Sequence, residues 1–408
     1  MIKSFFSFFI LFSSSANALV GIDSLTVKLF EKSPELSSLK QQMESKEALY
    51  SSNRSGFYPS FSAVGGWAEN KTDDLATIQK GYVGYIEGRY NLFNGFKDQS
   101  LLNQGENEYK LMKIEVESKQ RELKTVLTEI TGDMILLHQF RKILEEEYEV
   151  NQLQMRMAAR KVSAGLTGSV DNLEFKLRES ELQIEKNQIE QLHKDAHLKL
   201  IKLFGEDVAD TDLSAIEFSA IDNLSFQNKK LTLENTLEYQ KAQLNLSKAE
   251  YEKSQSRSDF LPKLDLILNV GRLTPSENTP ARFNESKYGI TLTIPLFSGF
   301  DTYYKIKASN FQVSSAEKRK IQKEKDLTVE FNVLKNRASE LIQLYTINES
   351  KLTNSNTYFN MTLSEYKRGV KNSPDLVGAT ERLFRAKKKK YEILKELELL
   401  NVKIENLL

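Results

Sequence analysis

One motif in this chain occurs twice. Asn91-Leu92-Phe93-Asn94-Gly95-Phe96 returns as Pro295-Leu296-Phe297-Ser298-Gly299-Phe300, with the two glycines 204 positions apart. Gly165 and Gly369 repeat at the same offset, as do Asp171 and Asp375. Upstream, Phe57-Tyr58-Pro59-Ser60-Phe61 answers Phe260-Leu261-Pro262-Lys263-Leu264 at an offset of 203. A period this long marks a duplicated half rather than a solenoid. Any fold for this chain must therefore hold two copies of one unit.

The N-terminus reads as a cleaved export signal, Met1–Ala18. Lys3 supplies the positive start, Phe5–Phe12 the short apolar run, and Ala16-Asn17-Ala18 the small-residue cleavage site. The run is too short to span a bilayer as a helix. The absence of cysteine excludes disulfides, thiol catalysis, thiolate metal sites and a lipidated N-terminal Cys. With 57 basic and 56 acidic residues, no net charge draws the chain to nucleic acid.

Helix dominates the rest. Asp301 to Arg368 contains neither Gly nor Pro, and the matching Lys97–Ala164 contains only Gly105 and Gly132. Each stretch predicts a helix of about 100 Å. Helices of that length call for coiled-coil packing. Leu327, Phe331, Leu334, Ala338, Leu341 and Tyr345 step in fours and threes, and Leu127, Ile130, Met134 and Leu137 precede the middle four by the repeat offset. This stripe reads as core. Shorter helices flank the long ones: Asp23–Ser55 and Val170–Phe204 in the first copy, Leu231–Asp259 and Pro374–Leu408 in the second.

Between short and long helices the period changes to two. Phe61, Ala63, Gly65 and Trp67 align with Leu264, Leu266, Leu268 and Val270; Ile86, Gly88 and Tyr90 align with Ile290, Leu292 and Ile294. Glu87, Arg89, Asp265, Asn269, Thr291 and Thr293 fall on alternate positions, giving one apolar and one polar face. Runs of about ten residues suit tilted membrane strands or a small soluble sheet. Trp67, Tyr82, Tyr85, Tyr90 and Tyr288 favour a membrane interface. Two hairpins leave two open edges, which lipid does not tolerate, so membrane strands would have to be completed by other chains.

These features together resemble the TolC-like outer-membrane efflux and secretion channels, the outer membrane factor family. The resemblance rests on the two strand-to-helix motifs, on Ser33-Pro34-Glu35-Leu36, on Pro59 and Pro262, and on the Gly165…Asp171 and Gly369…Asp375 breaks. It covers essentially the whole chain after residue 18. It implies a mainly α fold with β: a duplicated hairpin and long-helix unit, three copies closing a twelve-stranded outer-membrane barrel continued by a periplasmic helical barrel. The implied divisions are residues 19–205 and 231–408 as the two repeats, with hairpins at 59–91 and 262–295, and 206–230 as an equatorial linker. The implied function is a passive exit duct of a tripartite efflux pump or type I secretion system. Its partners would be two further copies, a periplasmic adaptor, an inner-membrane transporter and outer-membrane lipid. Most of the chain would stand in the periplasm, and the cargo is left open.

In such channels the helix breaks form the periplasmic entrance. Gly165 and Gly369 would serve as turn hinges, and Asp171, Tyr366, Lys371 and Asp375 as the gate. Asp171 and Asp375 also stand where helices restart, so capping is an equal reading of Asp171. Tyr366 and Lys371 match positions whose polar links hold the entrance closed. An acidic residue usual in the family one turn after Asp375 is Gly378 here, which weakens any acidic ring. The first-copy counterparts of Tyr366 and Lys371 are Val162 and Thr167, so the second break is the better candidate for the moving part.

Other groups are read as inert. His193 and His197 lie four apart on a helix without an evident third ligand. Lys387–Lys390, with Arg382 and Arg385, reads as a solvated face. Glu69–Lys80 and Leu273–Lys287 read as polar hairpin loops. No nucleotide loop, nucleophile triad or metal motif is present, so neither an enzyme nor a cofactor is expected. The competing reading is a periplasmic coiled-coil adaptor or scaffold, which would have no need for two aligned hairpins.

Overall fold

The protein is described from a computed structural model over residues 19–71, 78–205, 218, 229–276 and 285–408. The expected export signal Met1–Ala18, nearly all of the expected 206–230 linker and the tips of both hairpin loops lie outside the described residues. In chain order the elements are α1 (Leu19–Lys32), α2 (Pro34–Asn53), β1 (Ser60–Lys71), β2 (Ile78–Asn94), α3 (Lys97–Ser163) and α4 (Val170–Phe204). Then follow α5 (Leu237–Ser258), β3 (Lys263–Ser276), β4 (Glu285–Thr293), α6 (Asp301–Lys367) and α7 (Ser373–Leu407). The duplication is visible in the lengths: α3 and α6 each have 67 residues, α4 and α7 each 35.

The stretch Asp23–Ser55 is not one helix. Ser33 interrupts it, and its buried hydroxyl accepts from the Leu36 amide at 3.3 Å, with Pro34 at the first helical position. A hydroxyl cap followed by proline starts a new helix.

The chain forms two compact units, each drawing on both sequence repeats. The sheet unit comprises Ser38–Ser118 and Thr232–Leu327. Its four strands run antiparallel in the order β1-β2-β3-β4, with β2 and β3 joining the two hairpins. Register puts Phe61, Gly88, Leu268 and Tyr288 in one cross-strand row, and Ser62, Glu87, Asn269 and Lys287 in the next. The apolar and polar faces expected from period two are thus continuous across the sheet. The apolar face is not a core: Phe61, Trp67, Ile86, Tyr288, Ile290 and Leu292 are all exposed. β1 and β4 are open edges.

Both hairpins turn into their long helix through the same elbow. Gly95 and Phe96 take φ of 59° and 64°; Gly299 and Phe300 take 64° and 68°. Left-handed backbone is natural for glycine and strained for phenylalanine. The strain is held by an edge-on ring pair in each copy, Phe93–Phe96 at 5.2 Å and Phe297–Phe300 at 5.4 Å. The repeated motif therefore encodes a strained turn.

The helical unit comprises, of the described residues, 19–37, 119–205, 229–231 and 328–408. Phe331, Ala338 and Leu341 of α6 pack on Ile393, Leu397, Leu400 and Ile404 of α7, with Leu334 and Tyr345 at the margin. Leu127, Ile130, Met134 and Leu137 of α3 are buried too, as are Ile189, Ala196, Leu200 and Phe204 of α4. The stripe read from sequence is core in both copies.

Candidate functional site

The long helices end in the same way. Gly165 N donates to Val162 O at 3.0 Å and Leu166 N to Lys161 O at 2.9 Å; Gly369 N donates to Tyr366 O at 3.1 Å and Val370 N to Glu365 O at 2.9 Å. This is the Schellman pattern, which needs a left-handed residue. Gly165 (φ 69°) and Gly369 (φ 81°) provide it.

The helix restarts differ. Ser169 makes no side-chain cap on α4. Asn372 and Asp375 form a full capping box on α7: Asn372 Oδ1 accepts from Asp375 N at 3.2 Å, and Asp375 Oδ2 accepts from Asn372 N at 3.5 Å. Lys371 Nζ lies 3.9 Å from Asp375 Oδ2. The capping role weighed for the aspartates is thus occupied by Asp375. Asp171 stands in the first turn of α4, half-buried.

Tyr366 is fully buried, in a cluster with Ala158, Phe175, Leu376 and Val377. Phe175 of α4 meets its ring edge-on at 6.0 Å. Burial pushes the Tyr366 phenol up, the nearby Ser373 hydroxyl eases it back, and the Asp171 carboxylate pushes it up again. The structure thus brings Asp171 and Tyr366 within electrostatic reach and pairs Lys371 with Asp375. Lys161, which sequence reasoning passed over, donates to the Tyr366 carbonyl and lies over its ring. Its signal was its place in the basic last turn of α3.

Away from the breaks, ion pairs tie the helices together. Glu147 of α3 is 1% exposed and accepts from Arg178 of α4, whose Nε lies at 3.2 Å; Arg178 also reaches Glu181 at 2.8 Å and Glu381 of α7 at 3.3 Å. Burial pushes the Glu147 carboxyl up, against the pull of Arg178.

The Lys387–Lys390 stretch is not simply a solvated face. Lys387 pairs with Glu146 of α3, Lys388 with Glu185 of α4, and Lys390 with Glu349 of α6 at 3.1 Å. Lys389 pairs with Glu392 on α7 itself, at 2.8 Å; only tertiary packing could reveal that the other three lysines each face a different helix. Among the described residues no group of three or more His, Asp or Glu side chains could hold a metal ion, and no helix is long and apolar enough to cross a membrane.

An open-edged sheet with a bare apolar face, whose hairpins run through strained elbows into long helices, defines a membrane-strand protein. The profile of the outer membrane efflux protein family matches residues 25–206 and 229–407. The chain belongs to that family, and its place is the outer membrane. It is 24% identical over 292 residues to the alkaline protease secretion protein AprF of Pseudomonas aeruginosa, a match spanning 67% of this chain and 59% of AprF. The fold is shared with VceC of Vibrio cholerae (TM-score 0.80, 12% identity, 95% of this chain and 96% of that one). It is also shared with the open-state outer membrane channel MtrE of Neisseria gonorrhoeae (TM-score 0.78, 13% identity, 95% and 88%).

Proposed function

We propose that the protein is a passive exit duct across the outer membrane, serving an efflux pump or a type I secretion system. Three chains contribute four strands each to one closed barrel, with residues 19–205 and 231–408 as equivalent repeats in each. The observation that carries this is the sheet: two open edges and an exposed apolar face. Closure by further copies satisfies the edges, and lipid covers the face. A periplasmic adaptor and an inner-membrane transporter supply the cargo and the energy, and the chain itself performs no catalysis. Family membership supports efflux, and the likeness to AprF supports secretion.

The test is location and mass. The protein should fractionate with outer membranes and scatter light as three chains in mild detergent. Recovery as a soluble periplasmic monomer would overturn the duct and favour an adaptor or scaffold.

Within the duct, Asp171, Tyr366, Lys371 and Asp375 form the entrance gate, hinged at Gly165 and Gly369. Threefold symmetry would set each carboxylate in a ring, and such rings favour cations. In planar bilayers the protein should form small, cation-preferring pores. Asp171→Ala with Asp375→Ala should lower the cation-to-anion permeability ratio by about twofold or more. Asp171 should account for most of the change, because Asp375 is already engaged by its capping box and Lys371. Unchanged selectivity in the double variant would remove the gate assignment.

A further inference from the structure

Lys161 joins two helix ends that belong to different repeats. It lies in the last turn of α3, and its Nζ donates to the carbonyl of Tyr366, one residue before the end of α6. That carbonyl already accepts from Gly369 N at 3.1 Å, and it keeps a second lone pair at the negative end of the helix dipole, where an ammonium is well placed. The same Nζ stands 3.8 Å from the centroid of the Tyr366 ring. A cation over a buried aromatic face is attracted by the ring as well. One side chain therefore holds both the main chain and the ring of Tyr366.

The hydroxyl of Tyr366 meets the Ser373 hydroxyl at the start of α7 rather than α3. The residue is gripped by its ring and carbonyl, with Phe175 of α4 edge-on to it. The grip exists once per chain. At the repeat offset the counterpart of Tyr366 is Val162, and that of Lys161 is Glu365. Neither could form a second clamp.

We infer that Lys161 is a positioning residue of the gate: it keeps the end of α6 docked on α3 in the closed duct, and its release from Tyr366 frees the second break to move. The inference rests on the exit-duct reading. Lys161→Met keeps the length of the side chain and removes its charge and hydrogen bond. Lys161→Arg keeps a cation that can both stack and donate.

The experiment measures single-channel conductance in planar bilayers and amide hydrogen exchange of the assembled protein in detergent. Lys161→Met should raise the open fraction by about tenfold and speed exchange across residues 366–372 by a similar factor. Exchange across residues 163–169 should be unchanged, and Lys161→Arg should restore closure. A Lys161→Met assembly with wild-type conductance would overturn the inference, as would Lys161→Arg leaking as freely as Lys161→Met. If Lys161→Met fails to assemble, Lys161→Gln decides, since it keeps a donor and drops the charge; wild-type closure there would overturn the inference. Wild-type protein that forms no pores would overturn the duct reading and this inference with it. Pores in the wild type with no change in the variants would overturn the inference alone.

Discussion

Arg178→Met should destabilise the helical unit by about 3–5 kcal/mol, the usual cost of leaving one member of a buried ion pair alone. Glu147 is 1% exposed and Arg178 15% exposed by side chain, so water screens neither well. Arg178 is also the group that reaches Glu147, Glu181 and Glu381 together. The loss should depend on pH. Burial already raises the Glu147 carboxyl above its ordinary 4.5, and Arg178 opposes that rise. An acid raised in the folded state contributes stability that is fully present below its unfolded value and is lost as pH climbs through its folded value. Removing Arg178 lifts the folded value further. The deficit should therefore be widest near neutrality and shrink as the buffer is taken toward about pH 4.5. Glu147→Gln in the same chain should recover most of it. Urea midpoints of the detergent-solubilised protein at two pH values would measure both effects. A deficit that stays constant with pH, or resists Glu147→Gln, would mean that Arg178 acts by packing alone.

Gly95→Ala and Gly299→Ala should behave very differently despite their equivalent places in the repeat. Both glycines have positive φ, so alanine at either costs about 1–2 kcal/mol in backbone strain. A Cβ at Gly95 would stand 2.7 Å from the Ser258 carbonyl oxygen and 2.8 Å from the Leu261 Cβ, whereas at Gly299 nothing lies within 4 Å. Forced overpacking adds about 1–3 kcal/mol at Gly95 only. Folded yield and urea midpoint should fall sharply for the first variant and slightly for the second. Equal losses would mean that Gly299 is crowded by a neighbouring chain in the assembly.

Much of the fold was legible because its periodicities are long. A heptad stripe running from Leu327 to Tyr345, echoed from Leu127 to Leu137, leaves little choice of helix face. The alternation around Phe61, Ile86, Leu268 and Ile290 marked a two-faced sheet, although it could not say whether water, protein or lipid met the apolar side. The left-handed phenylalanines at 96 and 300 were not legible, since phenylalanine ordinarily argues against such a backbone. At the site, Gly165 and Gly369 were readable because their conformation demands glycine. The capping box of Asn372 and Asp375 was half readable, from Asp375 alone. Lys161 showed only as a basic residue in the last turn of α3, and its partner Tyr366, like the pairing of Arg178 with Glu147, was hidden because each pair joins different helices at a separation no local pattern records. The lysines at 387–390 looked like a uniform charged run, and only packing assigned each to its own carboxylate.

The bare margins of β1 and β4 bear on how the protein is made as well as on how it stands. In the proposed closed barrel, the backbone groups that would zip one chain to its neighbours are equally ready to zip it to anything else with an unfilled strand edge. On that proposal, a chain on its way to the outer membrane faces a race between closing a ring and growing an open-ended aggregate. Both routes speed up with crowding, but only the ring is finite. The supply of chains to the membrane, and whatever shields those margins on the way, therefore governs the yield of working ducts as much as the stability of any single chain does.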